Sequence, residues 1–219
     1  MAPVALQEVQ IRSVIDRLQL AAASDPERLL AARPAAEART LEPAARAEER
    51  AGIFMAIAPG TGSLCYQLVR ARRPGLAVEF GTSYGVSALY IGAAIRDNGH
   101  GRLLTTELSA AKAAAAAKNV AEAGLESQVE VLSGDARETL AEIRDPVGFV
   151  FLDGWKELYL PVLRILEPWL EDGALIVADD TSFEVVGDYL RYVRDPRNGY
   201  ESTALATDDG IELTCRTLI

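Results

Sequence analysis

Apolar residues follow two different spacings along this chain, and the spacing changes near position 60. Before Met55 the apolar positions recur every three or four residues, as they do between Val9 and Leu18, which is the spacing of one face of a helix. Pro34 and Pro43 interrupt this pattern, because proline lacks the backbone N–H that a helix interior requires. The segment before Met55 is therefore predicted to form three short helices.

After Pro59, short apolar runs alternate with helical stretches. The predicted strands are residues 76–80, 102–107, 129–132, 148–152 and 174–178. The predicted helices between them are residues 84–95, 109–123, 136–143 and 155–170. Strand alternating with helix at this spacing indicates an α/β fold, in which helices cover both faces of a parallel sheet.

The C-terminal part of the chain departs from this alternation. Residues 201–207 and 211–218 are both strand-like, and Asp208-Asp209-Gly210 separates them. A turn of this composition between two such runs predicts an antiparallel hairpin. With 219 residues, the chain is expected to form one domain, 1–219, with a helical segment at 1–55 and an α/β core at 56–219.

Composition and charge narrow the classes of function. Hydrophobic residues make up 49% of the chain and charged residues 25%, which is typical of a globular protein. A formal net charge of -10 repels phosphate backbones, so nucleic acid is not an expected partner. Two cysteines are too few for a disulfide-stapled secreted protein. Neither a signal peptide nor an apolar run of roughly 18 residues is evident, so we expect a cytoplasmic protein that does not enter a membrane.

A glycine turn follows the first predicted strand. Gly81 and Gly85 lie between that strand and the next predicted helix, where open parallel sheets bind their ligands. Glycine there lets the backbone approach a ligand, although both glycines could serve only a tight turn. The run GTSYG lacks the GxGxxG spacing that brings a helix N-terminus against a pyrophosphate. It therefore favours S-adenosylmethionine over a nicotinamide dinucleotide.

Two acidic residues extend this predicted cofactor site. Glu107 ends the second predicted strand, where a carboxylate can accept hydrogen bonds from both hydroxyls of a ribose. The alternative is that Glu107 stabilises the start of the helix that Ser109 begins. Asp135 follows the third strand and could accept from an adenine amino group, or it could cap the next helix.

Three aspartates follow the fourth and fifth predicted strands. Asp153 comes after one strand, and Asp179 and Asp180 come after the other. Neighbouring parallel strands would bring these carboxylates to one edge of the sheet, and such a set of oxygen ligands suits Mg²⁺. The alternative is that Asp179 or Asp180 caps the next helix, but Thr181 and Glu184 already have the spacing of a capping box.

Lys156 lies close to this predicted metal site. A phenolic hydroxyl of pKa about 10 must lose its proton to attack a sulfonium methyl group, and a lysine beside a cation can accept that proton. Lys156 is therefore the predicted general base, with a solvated lysine paired to a carboxylate as the alternative. Trp155 would lie along the adenine or pack in the core.

The runs FLDGWKELYLPVL and ADDT resemble the metal-dependent catechol O-methyltransferase family of class I methyltransferases, and the similarity extends from about Met55 to the C-terminus. The resemblance implies a Rossmann-like fold whose seven-stranded sheet ends in an antiparallel hairpin. It also implies metal ligation by Asp153, Asp179 and Asp180, Lys156 as the base, a small catechol-like hydroxyl acceptor and a possible homodimer. The residues expected around the cofactor are Met55, Ala56, Ile57, Glu79, Gly81, Tyr84, Ser87, Glu107, Leu108, Asp135, Ala136, Asp153 and Trp155.

The chain departs from this family at three places. Asp180 stands where the family has asparagine, Gly154 stands where the animal enzymes carry a larger side chain, and Thr203 stands near where a glutamate would orient a second hydroxyl. We expect Gly154 to leave one edge of the cofactor less covered. Two other functions remain open, namely a metal-independent N- or carboxyl-methyltransferase and a cofactor-binding protein without turnover.

Overall fold

Seven strands form one sheet at the centre of the protein. The computed structural model describes residues 4–31, 41–207 and 209–218. The strands are β1 (Leu76–Phe80), β2 (Arg102–Glu107), β3 (Val129–Ser133), β4 (Val147–Leu152), β5 (Leu170–Ala178), β6 (Tyr200–Leu205) and β7 (Ile211–Arg216). Their order across the sheet is β3-β2-β1-β4-β5-β7-β6. The first five strands are parallel, whereas β7 runs antiparallel to both β5 and β6, which confirms the α/β fold and the terminal hairpin.

Helices precede the sheet and cover both of its faces. Among the described residues, those before β1 are α1 (Val9–Ala22), α2 (Asp25–Ala31), α3 (Pro43–Glu49) and α4 (Pro59–Arg72). Those after it are α5 (Val86–Asn98), α6 (Ala110–Glu122), α7 (Ala136–Thr139), α8 (Tyr159–Leu166) and α9 (Gly187–Val193). Three of them lie in the region predicted to be helical before Met55, while Pro34 falls outside the described residues. No helix of the described residues has both the length and the apolar character needed to cross a membrane.

Two hydrophobic clusters lie on opposite faces of the sheet, and alternate strand residues divide between them. Ala77 packs in the cluster that includes α1, α4 and α5, whereas its neighbours Leu76 and Val78 pack in the cluster that includes α8 and α9. Side chains along a strand point alternately to opposite faces, so a strand that is covered on both faces is buried at every position. This explains why β1 and β4 are buried along their whole lengths.

The boundaries of several predicted elements were wrong. The helix predicted at 155–170 begins only at Tyr159 and ends at Leu166, because a short 3-10 turn containing Pro168 follows it. The strand predicted at 174–178 instead starts at Leu170, which pairs with Val147 in the sheet. The helix predicted at 136–143 ends at Thr139, and that predicted at 84–95 spans Val86–Asn98. In the 155–170 segment, the turn containing Pro168 and the pairing of Leu170 ended the helix early, and the apolar pattern alone did not show this.

The predicted capping box at Thr181 and Glu184 was also wrong. No helix begins at Thr181, whose backbone N–H donates to the Gly210 carbonyl in the β6–β7 turn at 3.1 Å. Glu184 starts a separate 3-10 turn that extends to Val186. The segment after β5 is therefore attached to the terminal hairpin, which keeps Asp179 and Asp180 at the sheet edge.

Candidate active site

A cavity of about 870 Å³ opens at the carboxyl ends of the parallel strands. Its wall includes residues that follow β1, β2, β4 and β5, together with residues from α3 and the segment before α4. The predicted residues that line it are Met55, Ala56, Ile57, Gly81, Tyr84, Ser87, Glu107, Leu108, Asp135, Ala136, Asp153, Trp155, Lys156, Asp179 and Asp180. Glu79 is fully buried and is not part of the wall. One cavity thus collects the predicted cofactor, metal and base residues, with Glu79 as the exception.

The turn after β1 passes very close to the segment after β4. Gly81 has a φ of +103°, and a Cβ atom at this position would lie 2.5 Å from the Asp153 carbonyl oxygen. Glycine is therefore required at residue 81 both by the backbone conformation and by the close approach of another strand end. The cofactor turn and the first aspartate of the chemical site are in direct backbone contact.

Glu107 is held by the backbone on both of its carboxylate oxygens. Oε2 accepts from the Ser83 N–H at 2.8 Å, and Oε1 accepts from the Ser109 N–H at 2.9 Å. The hydrogen bond from the Ser109 N–H corresponds to the alternative role of Glu107, in which it stabilises the start of α6. Each carboxylate oxygen can accept a further hydrogen bond, so the two bonds leave Glu107 oriented and still able to accept from a ligand.

Asp135 has the geometry of the helix-capping alternative. Its Oδ1 accepts from the Arg137 N–H at 2.8 Å, and its carboxylate forms an ion pair with the Arg137 guanidinium. Hydrogen bonds from the Arg137 side chain hold the pKa of Asp135 below its usual value, against an opposing effect of burial. Asp135 still lines the cavity, but its carboxylate is already engaged.

Glu79 lies beneath the glycine turn. Its Oε2 accepts a hydrogen bond from the Thr105 hydroxyl, and its Oε1 is buried without a hydrogen-bond partner among the described residues. Burial raises the pKa of Glu79 to about 7, opposed by the Ser87 and Thr105 hydroxyls and assisted by Asp153 and Glu107. This carboxyl group therefore supports the turn from below and also experiences the charges of both ends of the cavity.

The segment from Ala51 to Ile57 is attached to the cofactor turn by several hydrogen bonds. Asp25 accepts from the Phe54 and Met55 N–H groups at 3.0 and 2.7 Å. The Tyr84 hydroxyl donates to the Ala51 carbonyl at 2.7 Å, and the Tyr84 ring stacks on Phe54 with centroids 4.1 Å apart. These contacts place Met55, Ala56 and Ile57 in the cavity wall.

Lys112 is a cavity residue that the sequence reasoning missed. It lies in the first turn of α6 with only 2% of its surface exposed, and its Nζ donates to the Ser83 hydroxyl at 3.2 Å. Burial lowers the pKa of Lys112, although the nearby Glu107 carboxylate opposes this. The sequence signal was weak, because a lysine within an alanine run ordinarily points to solvent.

Two of the three predicted metal ligands, Asp153 and Asp180, contact the Lys156 ammonium group. Nζ lies 3.0 Å from Asp153 Oδ1 and 2.7 Å from Asp180 Oδ2, and it donates to the Tyr159 hydroxyl at 2.9 Å. Tyr159 in turn donates to the Asp179 carbonyl at 3.0 Å. Tyr159 belongs to the run FLDGWKELYLPVL, but its positioning contact depends on the meeting of β4 and β5, which the local sequence does not reveal.

Unbalanced negative charge remains at this end of the cavity. Burial raises the pKa of Asp153 to about 6, with Lys156 opposing the shift and Asp180 assisting it. Burial, Asp153 and Asp180 together raise the pKa of Asp179 to about 7. Burial disfavours the Lys156 charge, but the carboxylates prevail and raise the pKa of that ammonium above its usual value. In this arrangement Lys156 is a charged hydrogen-bond donor.

Gly154 does not leave the cavity wall open in the way expected from the sequence. A Cβ atom at residue 154 would lie 2.4 Å from the Phe80 ring, and Phe80 also lines the cavity. The aromatic side chain of β1 therefore occupies the space that a larger residue at 154 would take. This compensation comes from a distant part of the chain, so the motif alone could not predict it.

The sequence of this chain is similar to those of known methyltransferases. A family model described as a methyltransferase domain matches residues 78–181. Catechol O-methyltransferase of Bos taurus is 30% identical over 184 residues, covering 81% of this chain and 63% of that protein. Catechol O-methyltransferase of Sus scrofa is 32% identical over 140 residues, covering 61% of this chain and 74% of that protein. The chain thus spans less than two thirds of the bovine relative and about three quarters of the porcine one.

The fold also matches solved structures. An O-methyltransferase from Bacillus cereus, solved in complex with SAH, aligns with a TM-score of 0.69 at 22% identity, over 94% of this chain and 91% of that one. At this identity the likeness shows a common fold. The 32% identity to the porcine relative, with 74% of that protein covered, shows membership of the same family. The chain therefore belongs to the catechol O-methyltransferase-like family of class I, S-adenosylmethionine-dependent O-methyltransferases.

Proposed function

We propose that this protein transfers the methyl group of S-adenosylmethionine to a hydroxyl of a small, catechol-like aromatic acceptor, with a divalent cation bound at Asp153, Asp179 and Asp180. One observation carries the proposal. The glycine turn, Glu107 and the aspartate–lysine group share a single cavity, and the Gly81 turn is in backbone contact with Asp153. A methyl donor and an acceptor hydroxyl must lie side by side for in-line transfer, and this arrangement provides adjoining positions for them.

The cofactor would occupy the end of the cavity formed after β1 and β2. Glu107 is already oriented by two backbone N–H groups, which supports its proposed role as acceptor for the ribose hydroxyls. The backbone segment from Met55 to Ile57 and the Ser87 side chain line the same cavity and would contact the rest of the cofactor. Asp135 is engaged with Arg137, so an adenine contact from its carboxylate would use the remaining acceptor capacity.

The chemistry of the aspartate group fits a divalent cation. Carboxylate oxygens are the ligands that Mg²⁺ prefers, and the pKa values of Asp153 and Asp179 are raised first by burial and then by the neighbouring carboxylates. Among residues 4–31, 41–207 and 209–218, however, no cluster of three or more histidine, cysteine or acidic side chains has the arrangement of a metal site. Lys156 lies between Asp153 and Asp180 in this structure, so these side chains would have to rearrange to ligate a cation.

The residues of the chain have distinct proposed roles in transfer. A bound divalent cation would supply a Lewis acid that stabilises the acceptor oxyanion. Lys156 is the proposed general base, a role that requires its pKa to fall when a divalent cation replaces its ammonium as the counter-charge of the aspartates. Tyr159 holds its Nζ at the cavity wall. Phe80 and Trp155 line the cavity beside these groups and would help to exclude water from the reacting atoms.

A second candidate function is methyl transfer without a metal. The observation that favours it is the position of the Lys156 ammonium, which already bridges Asp153 and Asp180 as a cation would. In that case the aspartates would position the substrate, and the acceptor could be a nitrogen or a carboxylate. The two candidates differ in whether turnover depends on a divalent cation.

The first experiment is a calorimetric titration of purified, metal-stripped protein with S-adenosylmethionine and caffeic acid, with and without Mg²⁺, followed by mass spectrometry of the mixture. We expect cofactor binding in both conditions and a gain of one methyl group on the phenol only when Mg²⁺ is present. Transfer at the same rate in excess chelator would exclude the metal-dependent mechanism. Absence of cofactor binding would contradict the proposed function as a whole.

A further inference from the structure

Arg46 of α3 is an almost fully buried arginine in the cavity wall. Its side chain is only 7% exposed, although α3 belongs to the N-terminal helical segment, outside the part of the chain that carries the family motifs. Its guanidinium lies over the Trp155 indole, with Cζ 4.0 Å from the ring centroid. One of its terminal nitrogens lies 2.6 Å from the Glu157 carboxylate.

The two partners of Arg46 lie immediately before and after Lys156 in the sequence. Trp155 and Glu157 flank the proposed base, and Lys156 itself is held by Asp153 and Asp180. The segment from Asp153 to Glu157 is therefore attached at two places, to the strand ends through Lys156 and to α3 through Arg46. Gly154, at the start of this segment, is packed against the Phe80 ring and does not itself carry a side chain that could anchor it.

The chemistry of the contact requires an arginine. A planar guanidinium can stack on an aromatic face and form an ion pair in its own plane at the same time, which a lysine ammonium cannot do. The Nε–H of Arg46 is buried and has no hydrogen-bond acceptor among the described residues. An unpaired buried donor is unfavourable, so the ion pair with Glu157 and the stacking on Trp155 must together outweigh this cost to keep the guanidinium in place.

We propose that Arg46 is a positioning residue, which clamps Trp155 and Glu157 and thereby holds Lys156 in the place from which it acts on the acceptor. This inference rests on the proposed function, because it assigns Arg46 a role in the reaction of Lys156. It makes α3 a structural part of the active site, in addition to any role that the helix has in covering the cavity. Arg46 itself does not exchange a proton or contact the methyl group in this role.

The test uses Trp155 as an internal probe. The chain contains two tryptophans, so Trp169→Phe leaves Trp155 as the only one. In that background we would compare Arg46→Ala, Arg46→Lys and Glu157→Gln with Arg12→Ala, a control in which a half-exposed arginine of α1 loses its ion pair with Asp16. For each variant we would measure the emission maximum, acrylamide quenching, the thermal melting temperature, cofactor affinity and kcat.

We expect Arg46→Ala to shift the Trp155 emission to longer wavelength, to increase its quenching and to lower kcat about 10- to 100-fold, as a displacement of about 1 Å at a catalytic group can do. The fall in kcat should exceed any loss of cofactor affinity. Arg46→Lys and Glu157→Gln should each produce part of the change, because each removes only one of the two contacts. Arg12→Ala should leave all of these quantities at the parent values.

Folded Arg46→Ala protein with parental emission, quenching and kcat would overturn the proposal, and so would a lowered melting temperature with unchanged kcat, since that result indicates a purely structural contact. If Arg46→Ala fails to fold, unchanged quenching and kcat in both Arg46→Lys and Glu157→Gln overturn it in the same way. The fluorescence measurements need no turnover. A parent protein without methyl transfer would therefore contradict the proposed function, whereas unaltered Trp155 quenching would contradict the clamp.

Discussion

The two ends of the cavity satisfy their polar groups in different ways. After β1 and β2, the Glu107 carboxylate accepts hydrogen bonds from two backbone N–H groups, so its position is determined by the main chain. After β4 and β5, the carboxylates of Asp153 and Asp180 share one lysine, and the pKa values of Asp153 and Asp179 are raised to about 6 and 7. One end is preorganised, and the other contains negative charge that the protein alone does not balance.

This difference suggests that the Glu107 end recognises the cofactor, whereas the aspartate end takes part in the reaction. Backbone hydrogen bonds hold a carboxylate without requiring a counter-charge, which suits repeated binding of one cofactor. Raised carboxylate pKa values in a cleft are instead typical of groups that meet a cation, a substrate or a proton in the reaction. Substitutions at the two ends should therefore change different steps.

The largest effect is expected from Lys156→Ala at the β4–β5 end. Removal of the proposed base should lower kcat by about 10²- to 10⁴-fold, the usual contribution of general acid–base catalysis. Cofactor affinity should change little, because the Glu107 end is untouched. Initial rates at saturating cofactor and calorimetric titration would measure the two quantities, with the exposed Lys118→Ala as the matched control. Parental turnover in Lys156→Ala would exclude Lys156 as the base.

Glu107→Gln should have a smaller effect than Lys156→Ala, and it should change cofactor affinity while leaving kcat unchanged. Loss of a charged acceptor and of one backbone partner should weaken S-adenosylmethionine binding by about 10- to 100-fold, the equivalent of a hydrogen bond to a charged group. The kcat at saturating cofactor should remain near the parent value. Calorimetry would compare this variant with Glu130→Gln, an exposed β3 residue. A fall in kcat with unchanged affinity would show that the two ends are not separable.

Glu79→Gln should have the smallest effect on turnover of the three variants. It should instead change how the free energy of unfolding depends on pH. The folded-state pKa of Glu79 is raised from 4.5 to about 7, so the folded protein holds this proton more tightly than the unfolded chain. The stability that the protonated carboxyl contributes is present at low pH and is lost as the pH rises through about 7. This amounts to roughly 2 to 3 kcal/mol between about pH 5 and pH 8.

Urea unfolding of the parent and of Glu79→Gln across that pH range would test this linkage. The variant should show a weaker fall in the free energy of unfolding with rising pH, because its amide does not titrate. Both proteins keep the titrations of Asp153 and Asp179, so the difference between them isolates Glu79. Identical pH profiles would mean that Glu79 does not carry a raised pKa and that the two ends of the cavity do not act on it.

Local sequence patterns predicted most of the elements, since apolar spacing and glycine turns reflect burial on the two sheet faces. They failed where a distant contact decides the outcome. The sequence predicts Leu170 as the end of a helix, but in the structure it pairs with Val147 in the sheet. The sequence predicts Thr181 as a helix cap, but its N–H donates to the Gly210 carbonyl in the hairpin. In both cases a backbone hydrogen bond to another part of the chain competes with the local preference and prevails.

The candidate site shows the same limit. Residues that follow strand ends could be located because parallel strands share one carboxyl edge, whereas Met55, Ala56 and Ile57 were expected only from the family resemblance. All of the predicted site residues except Glu79 line the cavity. Arg46, Lys112 and the positioning role of Tyr159 could not be found in this way. Each acts through a partner far away in the chain, and a single charged or aromatic residue carries no local signal of that partner.

The sequence by itself therefore determined the α/β fold, the strand ends that carry the acidic residues and the family to which the chain belongs, because these depend on periodicity and on short contiguous motifs. Only the tertiary structure decided how the charges are partnered. It placed Lys156 between Asp153 and Asp180, brought Arg46 onto Trp155 and filled the space beside Gly154 with Phe80. Such pairings arise when separate segments pack around one cavity, and short-range electrostatic and stacking contacts depend on those final distances.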